Sequence, residues 1–171
     1  MAVNFETSTT TQFTFKTSPK TLTCVYQGIA SRDINIWAVL QLQLNKDQTY
    51  VKLVPGFGIQ TPGDIENVRD VLKHFHVKFS EQTVLQVIAF PTPGQLSLIQ
   101  SLLVCRVKII AIYLSEDGNF IIETCNLERT RGILENASTI QPCPVDCDDS
   151  DCEIKIVIEP KHYKKSKKFD E

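Results

Sequence analysis

Three cysteines near the carboxyl end have the residue type and spacing best suited to chemistry. In Cys143-Pro144-Val145-Asp146-Cys147-Asp148-Asp149-Ser150-Asp151-Cys152 the thiols are separated by three and four residues. Zinc takes about four thiolate or imidazole ligands, commonly in closely spaced pairs. Cys143, Cys147 and Cys152 are therefore a candidate zinc set, with Cys125 or His162 needed as the fourth ligand. The aspartates among them would favour a cation but disfavour packed thiolates, and their spacing lacks the central glycine of a calcium loop. The competing reading is a solvated acidic loop with incidental thiols.

His74 and His76 flank Phe75 at the end of an expected helix. Residues two apart lie on different faces of a helix, so a shared metal is not expected there. Gly56-Phe57-Gly58 precedes a helix in the manner of a phosphate loop. No Lys-Ser or Lys-Thr follows it, however, and Asp64 sets a negative charge where phosphate would sit. Cys24, Cys105 and Cys125 stand in or beside apolar runs and read as small core hydrophobes. With no nucleophile or zinc-protease motif in the chain, no catalytic residue and no cofactor are expected, and the chain reads as a non-enzyme. Lys161, Lys164, Lys165, Lys167 and Lys168 are interleaved with His162, Tyr163 and Phe169. Such a cluster suits an anionic membrane, RNA or a phosphoprotein, or it simply keeps the chain soluble.

Charge is distributed unevenly around that cluster. Residues 1–160 carry 13 basic against 18 acidic side chains, while the formal charge of the whole chain is −2. An acidic body argues against a folded face that grips nucleic acid, whose affinity comes mainly from neutralising phosphates. Length and composition, 171 residues with 42% hydrophobic and 22% charged, are those of one ordinary globular domain. The opening residues show no basic stretch followed by an apolar core, and no apolar run approaches the roughly 20 residues of a membrane span. Six cysteines without a leader read as free thiols in a reducing compartment, which places the chain inside a cell.

Candidate residues need elements to hold them. Thr61-Pro62-Gly63-Asp64 and Thr92-Pro93-Gly94-Gln95, 31 residues apart, both read as capping boxes with proline at the first helical position. The first opens a helix over about 62–76, with Ile65, Val68, Leu72 and Phe75 as its apolar stripe. The second opens one over about 93–104, and Asn126 is placed to cap a short third over about 127–135. Alternation predicts strands over 11–16 and 21–27, and a hairpin of 34–44 with 49–54. Runs 84–90 and 107–114 are apolar on both parities and read as central strands. Strands over 120–124, after an Asp-Gly turn, and over 153–159 complete the set. The expected fold class is α+β, a single domain with a mixed or largely antiparallel sheet. Parallel neighbours joined by right-handed crossovers stay open. Residues 1–12 read as a mobile Thr-rich segment, 13–160 as the domain and 161–171 as a basic disordered tail.

One stretch adds a resemblance. The capped helix ending in Lys73-His74-Phe75-His76, followed by Val84-Leu85-Gln86-Val87-Ile88-Ala89-Phe90, resembles the central part of rhabdovirus matrix proteins, with plant-infecting, cytorhabdovirus-like members the better fit. The chain departs from the animal viruses' pattern in lacking a Pro-Pro-x-Tyr motif and a basic amino terminus. The resemblance implies a non-enzymatic viral structural protein that self-associates and links nucleocapsid to membrane during virion assembly. Its partners would be itself, the nucleocapsid and an anionic membrane or RNA met by the lysine tail, with no small-molecule substrate. Its location would be host cytoplasm or virion. The alternative is a small intracellular regulatory or host-defence-antagonist adaptor, stabilised by zinc at Cys143, Cys147 and Cys152.

Overall fold

Side-chain alternation with period two sorts this molecule into layers. The computed structural model describes residues 4–90 and 92–144. Its elements run β1 (Thr7–Thr17), α1 (Pro19–Ala30), β2 (Ile36–Asn45), β3 (Gln48–Pro55), α2 (Pro62–His74), β4 (Phe79–Val87), α3 (Gln95–Leu103), β5 (Ile109–Leu114), β6 (Phe120–Thr124) and α4 (Leu127–Glu135), with a 3-10 turn at Ala137–Thr139. One six-stranded sheet has the order β2-β3-β1-β4-β6-β5, and every pairing in it is antiparallel. The fold is α+β.

The element order is β-α-β-β-α written twice, and the sheet order reads the same from either edge. β1 and β4 form the seam between the repeats, in register from Thr7↔Val87 to Phe15↔Phe79, with Thr11↔Thr83 at the middle. One parity of each strand faces the helices. Phe13, Phe15, Val51 and Leu53 pack with Leu22, Val25 and Ile29 of α1 and Val68, Val71 and Leu72 of α2. Leu85, Val87, Phe120 and Ile122 pack with Ile99, Leu102 and Leu103 of α3 and Ile133 and Leu134 of α4. The other parity is buried too, because the sheet curls until its two edge strands meet. Ala38 of β2 bridges Ser115 just beyond β5, and the Glu116 N–H donates to the Trp37 carbonyl at 2.7 Å. Trp37, Ala38, Val54, Val84, Tyr113 and Ile121 fill the concave interior.

Several expectations need correction. Residues 21–27 are helical: α1 is capped by Ser18 with Pro19 in its first turn, and its buried side chains Leu22, Val25 and Ile29 recur at helical spacing. Thr7–Thr10, placed in a mobile segment by their polarity, are instead the first part of β1 opposite Val84–Val87. Phe5 before them is buried, and its N–H donates to the Leu134 carbonyl at 3.0 Å. The run 107–114 contributes an edge strand, β5, not a central one; Ile110 is 52% exposed. α3 starts at Gln95 after a left-handed Gly94 and has no side-chain cap, since the Gln95 amide turns back to Phe90 and Thr92. The expected strand 153–159 and the lysine-rich stretch lie outside the described residues.

Candidate functional site

Inside the curled sheet sits a chain of polar side chains, one from each of four strands. Lys52 of β3 pairs with Glu123 of β6, both buried. Gln12 of β1 donates from Nε2 to Glu123 Oε2 at 2.9 Å, and Tyr113 of β5 donates its hydroxyl to Gln12 Oε1 at 2.6 Å. The Lys52 ammonium also lies 5.4 Å from the centre of the Tyr50 ring. Burial pushes the Glu123 carboxyl up, but hydrogen bonds from Lys52, Gln12 and Gln82 and the Lys52 charge outweigh it and hold the group below the usual carboxylate range. Burial would lower Lys52, but its hydrogen bonds to Glu123 and Tyr50 and their charges raise it above the usual ammonium range. Burial, with smaller contributions from Glu123 and Tyr50, drives the Tyr113 phenol far above its ordinary value, so it stays a donor. Perturbed groups can mark chemistry. Here Gln12, Lys52, Tyr113 and Glu123 line none of the clefts described below, and they serve to tie the two repeats together.

The cleft that combines apolar walls with convergent polar groups lies where the edge strands meet. It has a volume of about 310 Å³ and is lined by Trp37, Phe57, Gly58, Glu116 and Asp117. Three local devices build it. A register shift between Ile36 and Ala38 lets Trp37 and its neighbour Ala38 both turn inward, leaving Trp37 only 4% exposed. After β3, Gly56 adopts φ 113° where a Cβ would sit 3.2 Å from the Gln60 Cα and the Ile59 carbonyl, so the turn requires glycine. That turn raises Phe57, 78% exposed, over the cleft. The β5–β6 turn closes with the Gly118 N–H on the Ser115 carbonyl at 3.0 Å and presents Glu116 and Asp117.

Both carboxylates are oriented by neighbours. Asn35 Nδ2 donates to Glu116 Oε2 at 2.7 Å; Ser115 Oγ donates to Asp117 Oδ1, and Asn119 Nδ2 to Asp117 Oδ2 at 2.9 Å. An indole and a phenyl ring beside fixed carboxylates attract an ammonium group carrying a short apolar body. The volume lies at the lower end of small-molecule pockets, roughly 300–1,000 Å³. A second cleft of about 470 Å³ is lined by Thr14, Phe15, Lys16, Tyr50, Lys78, Phe79 and Ser80, and a third of about 160 Å³ lies at the start of α3 beside Phe5 and Thr92–Leu98. The lysines of the second are exposed, and nothing in the described residues fixes them.

The residues singled out from the sequence lie elsewhere. Cys143 is bonded to Cys105, 38 positions away, and in that state has no thiolate to offer zinc; Cys147 and Cys152 lie outside the described residues, as do Lys161, Lys164, Lys165, Lys167 and Lys168. Cys105 and Cys125 are exposed and Cys24 half-buried, so none of the three is the core hydrophobe expected of it, and the thiols are not all free. His74 ends α2 with its ring edge-on to Phe75, and His76 takes a left-handed φ of 54°; both are exposed. Among the described residues no group of three or more His, Cys, Asp or Glu could hold a metal ion, and no helix is long and apolar enough to cross a membrane. From the sequence, Gly56-Phe57-Gly58 is weighed only against a phosphate loop and Asp117-Gly118 only as a hairpin turn, and neither pattern points to a shared cleft. The signal was present in two glycine turns and the sole tryptophan.

No protein-family model and no curated protein matches the sequence. Solved structures do match. Protein BT0572 from Bacteroides thetaiotaomicron superposes with a TM-score of 0.62 at 19% identity, covering 79% of this chain and 92% of that one. The ligand-free regulatory subunit of aspartate kinase from Thermus thermophilus gives 0.55 at 13%, covering 82% and 99%. A structure of aspartokinase alpha and beta subunits gives 0.54 at 12%, covering 82% and 100%. At these identities the likeness is one of fold. It overturns the viral matrix reading: the capped helix, α2, closes the first repeat and the strand after it, β4, opens the second, in a fold shared with the regulatory subunit of aspartate kinase from Thermus thermophilus. Virion assembly, nucleocapsid partnering and the exclusion of a small-molecule partner rested on that resemblance and fall with it.

Proposed function

We propose that this chain is a regulatory module of the ACT-like kind, which binds a small amine-bearing molecule of amino-acid size and acts through that binding without transforming its ligand. The carrying observation is the fold match to the regulatory subunit of aspartate kinase from Thermus thermophilus, extending over 82% of this chain and 99% of that one. The cleft of Trp37, Phe57, Glu116 and Asp117 supplies the place, joining elements of both repeats at the junction of the sheet's edges. Occupancy there would favour the closed contact between Ala38 and Ser115, and so report a ligand to the whole curl of the sheet.

Trp37 is the sole tryptophan of the chain, so its emission reads the cleft directly. Titration with a panel of amino acids and simple amines should shift that emission and raise the melting temperature for at least one class. Asp117→Asn, Glu116→Gln and Phe57→Ala should each weaken the response while leaving the unliganded melting curve in place. A panel that moves neither signal, or binding that survives all three substitutions, would count against this cleft as the sensor.

A further inference from the structure

The disulfide between Cys105 and Cys143 is chemically lopsided. Cys105 stands two residues past the end of α3 and is exposed; Cys143, in the segment after the 3-10 turn, is buried at 6%. Two donors converge on the buried sulfur alone: Arg106 Nη1 at 3.0 Å and the Cys105 backbone N–H at 3.2 Å. The guanidinium cannot drift, because Nη1 also donates to the Leu102 carbonyl at 2.8 Å and Nη2 to the Gln141 carbonyl at 2.7 Å. A fixed cation against one sulfur is the setting in which that sulfur departs readily as a thiolate.

We propose that Cys105–Cys143 is a reversible thiol–disulfide exchange site, in which an external dithiol attacks the exposed Cys105 Sγ and Cys143 is the leaving sulfur held by Arg106. The attacking thiolate forms a bond to Cys105 Sγ, the Cys105–Cys143 bond breaks, and its electron pair leaves on Cys143 Sγ beside the guanidinium. The second thiol of the reagent then loses its proton and attacks its own sulfur in the mixed disulfide. That step releases the Cys105 thiolate and closes the reagent into a cyclic disulfide. The protein disulfide gains two electrons, the dithiol loses two, and the thiol protons end on the freed cysteines. Reduction removes the covalent strap between α3 and the segment around Cys143. The hydrogen bonds of Cys143 N–H to the Ser101 carbonyl, at 2.7 Å, and of Arg106 to Gln141 remain. The site is therefore built to loosen one side of the second repeat without dismantling it.

The full chain is incubated in graded ratios of reduced to oxidised dithiothreitol, quenched in acid, alkylated and mapped by peptide mass spectrometry. Cys105 and Cys143 should become alkylated together, and reoxidation should restore the same pair. Arg106→Gln should slow reduction by about tenfold, the loss of one charge-assisted hydrogen bond to the leaving sulfur, and Arg106→Lys should recover part of it. In denaturant the Arg106→Gln and unsubstituted chains should be reduced at equal rates. In a Cys143→Ser chain, the freed Cys105 thiolate should exchange with an added small disulfide such as oxidised glutathione, so that a mixed disulfide collects on Cys105 as one equivalent of the small thiol is released. Alkylation of both cysteines before any reductant is added, resistance of the folded chain at every ratio, or an unchanged rate in Arg106→Gln would each overturn the proposal.

Discussion

In the first repeat the two helices run 12 and 13 residues, and each starts on a side-chain cap, Ser18 or Thr61. In the second repeat both helices are nine residues, and α3 starts on Gly94 with no side chain reaching its first-turn amides. The strands differ in the same sense: β2 and β3 have 10 and 8 residues, β5 and β6 only 6 and 5. Shorter elements bury less apolar surface and leave a larger share of their hydrogen bonds at frayed ends. The disulfide sits on that weaker side, strapping α3 to the segment that follows α4. One layout is used twice: both helices of the first copy start on a side-chain cap, whereas in the second only α4 does, on Asn126, and a long-range cross-link is added.

The ion pair that joins the copies should give the largest effect. Lys52 and Glu123 come from matching strands, β3 and β6, and removing one leaves the other charged and buried. Glu123→Ala should cost about 3–5 kcal/mol in urea unfolding, whereas a Lys52→Met, Glu123→Leu double substitution should cost far less, because both charges go together. The pH dependence has two edges. Glu123 is held below its ordinary 4.5, so its contribution is complete above that value and disappears as pH falls through the lower folded value. Lys52 is held above its ordinary 10.5, so its contribution is complete below that value and disappears as pH rises through the higher folded value. Urea midpoints should therefore change little between these edges, and Glu123→Gln should make the acid edge shallower, leaving the part that comes from Glu81, held low by its hydrogen bond from Arg69.

Cutting the cross-link comes next and should separate the copies. Cys143→Ser opens a loop spanning 38 positions, which the chain-entropy account places at about 4 kcal/mol. Hydrogen exchange should rise across α3, α4 and the 3-10 turn while α1 and α2 keep their protection. A uniform rise over both repeats would show that the molecule unfolds as one unit and that the two repeats do not differ in local stability.

What could be read from the residues follows how local each signal is, and cuts across the two repeats. α2 was legible because its signals are local: the Thr61 hydroxyl accepts from the Asp64 N–H, and the Asp64 carboxylate accepts from the Thr61 N–H, as a capping box requires. α4 was legible over Leu127–Glu135 for the same reason, with Asn126 as its cap. α1 was missed because Leu22, Cys24 and Tyr26 alternate as a strand would, and only tertiary contact reveals that Leu22, Val25 and Ile29 are the residues that pack. The disulfide and the cleft lay beyond reach. Cys105 and Cys143 meet only because α3 and the end of the chain's described part fold together, and cysteine spacing does not give connectivity. Trp37 comes from the start of β2, and Phe57 and Asp117 from two turns; they converge when the sheet curls, a property of accumulated strand twist and not of any one segment.

The smallest effect tests the two four-residue look-alikes against each other. Thr61 and Thr92 occupy the same place in Thr-Pro-Gly-Asp and Thr-Pro-Gly-Gln, yet only Thr61 accepts from a helix amide, the Asp64 N–H at 3.2 Å. Thr92 instead accepts from the Gln95 side-chain amide at 2.8 Å, while the other Gln95 bonds run to the Phe90 backbone. Thr61→Ala should therefore cost about 1 kcal/mol, in the range of a lost N-cap, and so should Ser18→Ala at the start of α1. Thr92→Ala removes one exposed side-chain contact and no cap, and should move the urea midpoint by only a few tenths of that amount. Equal costs for Thr61→Ala and Thr92→Ala would mean that α3 does use a side-chain cap in solution, and that the second repeat begins as the first does.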